Sequence, residues 1–365
     1  MPAHETSYRN RRAVSIENDR LRVTITVEGG HIAEILDKAS GVNPLWTPPW
    51  PSIEPSTYSV QKHPEYGADA ESKLLAGIMG HNLCLDIFGP PSPEEFAAGI
   101  WVHGEGSMVA YDVDSAGSKL TARAHLPLAQ LDFERRIELA PGGFVQIHET
   151  VSNLTALDRP IAWTQHVTLG PPFIKPGVTK LVIPARRSKV YPVALGKDTN
   201  YLPDAEFEWP HTPNTRGGIT DIDTFPAFER STAVTAHAVD DDRDQAFFLT
   251  WEPESRLAFG YVWKRADFPW ISLWEENCAR TNTRWNGQAI TRGVEFGVSP
   301  FAEGRKGMID RRSLFGIPTY RWLPAKSSLT VDYVAFAFQS GEMPEQLVSA
   351  LQTRGMVSAG SAVKP

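Results

Sequence analysis

Cysteine is nearly missing from this sequence: Cys84 and Cys278 are the only two in 365 residues. Two thiols cannot build a disulfide scaffold or a Cys-rich zinc site. They fit free thiols in a reducing compartment. A run of about 18 apolar residues, the length a transmembrane helix needs, is also absent. Residues 1–12 are polar and lack the apolar core of a signal peptide. There is no basic surplus, since 36 Lys and Arg stand against 43 Asp and Glu for a net charge of −7. That argues against a general nucleic-acid binder. The glycine motifs that cradle phosphates are missing, as is a Gly-x-Ser-x-Gly elbow. These absences predict a soluble cytoplasmic protein with no nucleic-acid and no membrane partner, and they argue against nucleotide-dependent and α/β-hydrolase chemistry. They do not bear on oligomeric state.

What is present is a strand-rich pattern. Leu21–Glu28 alternates strictly between apolar and polar residues, the mark of a strand with one buried face. Gly29-Gly30 breaks it, 31–36 resumes an extended pattern, and 37–41 reads as a turn. Segments 121–126, 131–139, 144–151, 161–169, 233–238, 246–251, 257–263 and 329–338 are rich in β-branched and aromatic residues and bounded by turn formers. Helical signals are few. Ser92-Pro93-Glu94-Glu95 offers a cap, a proline at the first position and acids in the first turn. A second candidate spans 344–351. Residues 47–72 and 170–230 read as loop-rich, the latter long enough to cover a site, and 355–365 as a fraying tail. Many strands and few helices predict an all-β class, sandwich or barrel. No repeat and no composition shift marks a boundary, so one domain over 1–365 is expected, with its core at about 15–340.

Three segments set polar groups among apolar or glycine-rich neighbours: 101–106, 163–173 and 291–301. His166 lies on a strand ending in Gly-Pro-Pro, and a histidine titrates near neutrality. It reads either as a proton donor and acceptor or as a core histidine bonded to a carbonyl. Glu295 sits between apolar neighbours, where burial would raise its pKa to suit a general base. Alternatively it faces solvent or pairs with Arg292 or Arg305. His103 and Glu105, two apart, would share one side of a strand. They could bind sugar hydroxyls or, with His81, His148 or His166, chelate a metal. His81 and Asp86 add polar groups to an apolar frame. Trp263, Trp270, Trp274 and Trp285 serve core packing, with at least one placed to stack on a ligand.

Taken in order, these segments resemble the aldose 1-epimerase (galactose mutarotase-like) superfamily. Gly29-Gly30 with the turn at 37–41 looks like its start, and His103-Gly104 like its substrate-binding His-Gly pair. The run 149–154 leading to His166 looks like its strand-Asn-strand-His progression, and Gly293-Val294-Glu295 like its late Gly-apolar-Glu motif. The resemblance implies a large antiparallel β-sandwich, of the galactose mutarotase-like supersandwich kind, acting on a small-molecule sugar. It implies Glu295 as the base that takes the anomeric proton and His166 as the acid at the ring oxygen, with no cofactor and no metal. It implies a sugar contact from His103, to which the residue reading adds Glu105, His81, Asp86, Trp274 and Arg284 as candidate substrate contacts. The family's Arg soon after His-Gly is replaced here by Glu105-Gly106-Ser107-Met108, and its aromatic residue after the acid histidine by Val167-Thr168-Leu169-Gly170. For a phosphosugar, Arg280, Arg284 and Arg292 could supply cations. The alternatives are a carbohydrate-binding protein on the same fold, or a metal-dependent enzyme using His103 and Glu105.

Overall fold

The computed structural model describes residues 5–344 together with 346 and 347. The alternating segments do become strands, and they assemble into two large sheets in which neighbouring strands pair antiparallel. The larger sheet has twelve strands. Its centre runs His81–Asp86, Arg159–Leu169, Ile290–Gly297, Trp270–Asn277, Ser231–Val239 and Ala185–Val190 in that spatial order. The N-terminal strands, Arg11–Glu17 and Leu21–Thr26 among them, extend it on the His81–Asp86 side. The smaller sheet has eight strands, with Gln245–Glu252, Leu257–Lys264, Ser328–Gln339, Phe144–Asn153, Leu131–Ala140 and Lys119–Leu126 adjacent in turn.

The two sheets bury one continuous core between them, because period-2 alternation places every second side chain on the inner face. Trp163, Val167, Val294 and Phe296 of the large sheet meet Phe133, Tyr261, Trp263 and Tyr333 of the small one. The Trp263 and Phe296 rings stack at 4.1 Å. At the middle of this apolar layer Arg135 Nε donates to Glu149 Oε1 at 2.7 Å, with both side chains almost fully buried. Glu149 also accepts from Tyr333, Gln165 and Trp163. The pair is therefore fully bonded, the condition under which a buried charge is tolerated.

The outer face of the large sheet is covered by loops. The 47–72 region contributes two short turns and, with helix Ser72–Gly77, supplies a second apolar cluster. Trp46, Trp50, Tyr66, Trp274 and Trp285 form its centre. The 170–230 region is not featureless loop, since it holds the strand Ala185–Val190 and four short ones. Helix Pro93–Ala97 forms with the expected cap: Glu95 N donates to Ser92 Oγ at 3.2 Å and Ser92 N to Glu95 Oε2 at 2.9 Å. The candidate helix at 344–351 lies largely outside the described residues, and the 355–365 tail wholly so.

Candidate functional site

The strand Arg159–Leu169 turns Trp163, Val167 and Leu169 into the core. Thr164, His166 and Thr168 therefore face outward, toward the loop layer. On the neighbouring strand Val294 and Phe296 point inward and Glu295 outward, by the same parity. Gln165 pairs with Phe296 and Thr168 with Gly293, so His166 stands directly opposite Glu295. Their side chains meet, with His166 Nε2 3.1 Å from Glu295 Oε1. The register continues on both sides. Asn82 lies opposite His166, and Ser272 opposite Glu295. Asn82, His166, Glu295 and Ser272 thus make a row of outward side chains across four strands.

Both members of the central pair are buried, His166 5% exposed and Glu295 3%. Burial pushes the Glu295 carboxyl up to about 8. It holds the His166 imidazole well below its usual value, and the neighbouring His103 adds to the effect. At neutral pH the proton therefore sits on Glu295, and the pair is an uncharged carboxylic acid donating to imidazole rather than an ion pair. His166 Nδ1 then carries the other hydrogen and donates to Thr168 Oγ1 at 2.9 Å.

His103 reaches the pair from a loop rather than from a strand. Its φ is 69°, and it is followed by Gly104 at 77°. A Cβ on Gly104 would lie 2.2 Å from the Leu85 carbonyl oxygen, so only glycine lets this loop press against the sheet. The His103 ring centroid stands 4.8 Å from that of His166. Its Nδ1 donates to the Phe88 carbonyl at 2.7 Å. Burial is the main cause that brings its pKa down to about 4, with Arg280 contributing, so the ring is neutral and its Nε2 is a bare acceptor.

Trp274 completes this side, 6.0 Å from His166 between ring centroids and backed by Trp46 and Trp285. Of the four tryptophans close in sequence, Trp263 packs in the core and Trp270 donates to the Pro318 carbonyl. Arg280, which the sequence offered only as a cation for a phosphosugar, caps the cluster, 5.6 Å over Trp274 and 4.7 Å over Trp285. It is paired with Glu71 at 3.2 Å and Glu276 at 3.6 Å.

Several expected sugar contacts stand elsewhere. His81 has the same parity as Leu83 and Leu85 and so faces the core, where Nε2 donates to Gln165 Oε1 at 2.9 Å and Nδ1 accepts from Tyr261 at 3.0 Å. Asp86 is held by Arg305, at 2.6 and 3.0 Å, and by Arg159 at 2.5 Å. Glu105 does not share a strand face with His103, because 105–107 is a short 3-10 turn. Its carboxylate accepts from the Ala129 amide at 2.6 Å and the Leu128 amide at 3.2 Å. Arg284 lies 4.3 Å over the Tyr66 ring. Arg292 is on the inner face, where it donates to the Ile222 carbonyl. His148 pairs with Asp332 on the small sheet. Among the described residues no three His, Cys, Asp or Glu side chains gather as a metal would require.

Asn82 is the residue sequence reasoning missed, although the signal was there. Leu83 and Leu85 fix the phase of the strand, which sends His81 inward and Asn82 outward. Two cavities lie away from the row. One, of about 10 Å³, is enclosed beside Arg292 and Glu275. The other is an open groove of about 430 Å³ lined by Tyr8, Arg9, Pro48 and Pro171, among others. Neither contains a residue of the row. The His166–Glu295 contact is on the outer face, and the functional reading follows it.

No family model matches the chain, and a comparison with curated proteins found no match. Solved structures do match over nearly the whole length. A candidate aldose 1-epimerase of Klebsiella pneumoniae is 14% identical, with 95% of this chain and 84% of that one covered at a TM-score of 0.65. A candidate aldose 1-epimerase of Escherichia coli K12 is 12% identical, with 90% and 99% covered at 0.59. A galactose mutarotase-like protein of Clostridium acetobutylicum is 12% identical, with 92% and 98% covered at 0.58. The chain has the galactose mutarotase-like fold, in a sequence far diverged from these proteins.

Proposed function

We propose that the protein is an aldose 1-epimerase, with Glu295 as base and His166 as acid. One observation carries this reading: the buried contact of His166 Nε2 with Glu295 Oε1, on the sheet face that carries His103 and Trp274. The sugar similarity of the fold is consistent with it, but a fold hosts many chemistries and the site must carry the argument.

The pair shares one exchangeable proton. Shifting it from Glu295 to His166 gives the reactive tautomer, carboxylate beside imidazolium. Glu295 then takes the proton of the anomeric hydroxyl while His166 gives its proton to the ring oxygen. The C1–O5 bond breaks, C1=O forms, and the pair returns to carboxylic acid and neutral imidazole. After rotation about C1–C2 the same transfers run in reverse and close the ring on the other face. Total charge is unchanged throughout, which suits a water-poor site where an uncompensated charge is costly. Trp274 offers an apolar face to the sugar ring, and His103 Nε2 an acceptor to a hydroxyl.

The test is anomer exchange by NMR across free and phosphorylated aldoses, with Glu295→Gln beside wild type. Exchange by wild type alone supports the reading. Sugar binding without exchange assigns the protein to the non-catalytic carbohydrate-binding class instead.

A further inference from the structure

We propose that the segment 278–289 is a lid, plugged by Trp285, that swings off the outer face of the large sheet as one unit to open the way to His166 and Glu295; that a sugar is what it admits rests on the epimerase reading. The pair is 5% and 3% exposed, too enclosed for a pyranose to touch it in this conformation. Some part of its cover must move before a substrate reaches it. Two parts are tied down. The His103 loop holds its carbonyl on the Leu85 amide at 3.2 Å and is pressed to the sheet through Gly104. The 46–77 layer is laced to the body by Trp46 N, which donates to the Thr168 carbonyl at 2.8 Å, and by Arg11 Nη1, which donates to the Gly77 carbonyl at 2.6 Å.

The segment 278–289 is built differently. It leaves the strand Trp270–Asn277 and returns into the strand Ile290–Gly297. Its two ends meet, with Cys278 N donating to the Ala289 carbonyl at 2.8 Å and Gly287 N to the Arg280 carbonyl at 2.8 Å. A loop closed at its own base can swing without breaking the sheet. Among the described residues, the backbone hydrogen bonds of 280–288 stay inside the segment or run to the Glu276 carboxylate at its root. Trp285 is the one buried residue between 280 and 288. Its ring lies 6.2, 5.2 and 5.8 Å from those of Trp46, Trp50 and Trp274.

Two further contacts fasten the segment to the 46–77 layer: Arg280 with Glu71 at 3.2 Å, and Arg284 at 4.3 Å over Tyr66. The Arg280–Glu71 pair is partly solvated and therefore weak. The Trp285 indole N–H is buried without a partner, a penalty that water relieves once the loop lifts. Lifting also bares the face of Trp274 beside His166. One buried tryptophan holds the lid shut and an unmet donor opposes it, so the segment opens at a cost well below that of global unfolding.

The experiment is diethyl pyrocarbonate labelling of histidines in the full chain, read by peptide mass spectrometry. His81, which is 0% exposed in the core, is the internal control against global unfolding. Wild type is compared with Glu71→Gln, which weakens the latch, and Trp285→Ala, which removes the plug, each checked by thermal melting. In wild type His166 is expected to be labelled at least about tenfold faster than His81. Glu71→Gln should speed His166 labelling about twofold to fivefold, and Trp285→Ala at least about tenfold, with His81 unchanged. The wild-type comparison stands even where a variant fails to fold. His166 labelling as slow as that of His81, or unchanged in a folded variant, overturns the proposal. Anomer exchange is recorded on the same samples. Where it occurs, kcat/KM of Glu71→Gln should rise by the same factor as the labelling, because only the open form binds; an unchanged or lower value overturns the proposal. Labelling as expected with no exchange on any sugar removes the epimerase reading and leaves the lid intact.

Discussion

His166 and Glu295 face each other across two adjacent antiparallel strands, 3.1 Å apart and almost fully enclosed. Enclosure raises the acid and lowers the base, so a pair drawn as an ion pair is neutral at rest. Its pH dependence follows. The active form holds one shared proton on the pair. Losing it as pH rises through about 8 removes activity, and a second proton removes activity only well below pH 6.5, on the His166 side. We expect kcat/KM to be flat around neutrality, with its basic limb near pH 8. A rate that keeps climbing through pH 8 contradicts this assignment.

Stability carries the same signature. The folded carboxyl of Glu295 titrates near 8 and the unfolded one near 4.5, so the native state holds the extra proton in that window. Folding stability therefore falls as pH rises from 4.5 to 8 on account of this group. Glu295→Gln removes the slope. Denaturant titrations across that range should show the variant gaining on wild type toward pH 8; parallel curves would mean Glu295 is ionised at rest.

Removing either proton-transfer partner should leave the fold and remove the chemistry. Glu295→Gln and His166→Ala are each expected to slow anomer exchange at least about 100-fold. Near wild-type exchange in both folded variants would rule out the pair as the catalytic one.

Gly293 lies directly under the pair. A Cβ there would stand 2.5 Å from Glu295 Oε1 and 3.2 Å from the Trp274 Cβ. Gly293→Ala should cost about 1–3 kcal/mol through overpacking and displace the Glu295 carboxylate. The check is a thermal melt together with exchange kinetics, where the expected drop is in kcat more than in stability.

Glu105 separates a structural role from a binding one. Glu105→Ala leaves the Ala129 and Leu128 amides without an acceptor and should lower stability by about 1–3 kcal/mol. Its sugar affinity, measured well below the melting temperature, should stay near wild type. A selective loss of affinity would restore Glu105 to the substrate.

Strand positions were legible because alternation is a local property: the stretches at 131–139 and 257–263 fall inside the strands Leu131–Ala140 and Leu257–Lys264. His166 and Glu295 were legible as candidates from their surroundings and from the order of motifs. Asn82 was overlooked in favour of His81, although Leu83 and Leu85 already set the phase. The His103–Glu105 pairing failed because its premise was a strand, and the backbone there turns through positive φ.

By itself the sequence determined an all-β chain with few thiols, modest negative charge and two isolated titratable groups on strands. Local pattern suffices for that, since side-chain period and turn chemistry act over a few residues. Which strands neighbour each other was decided only by tertiary structure. His166 and Glu295 are 129 positions apart, and no short-range signal says that they meet. Their pairing and their shifted pKa values arise from antiparallel register and from a loop layer that excludes water. The same register brings Asn82, more than eighty positions before His166, into the row, and a slip of one residue would send it into the core.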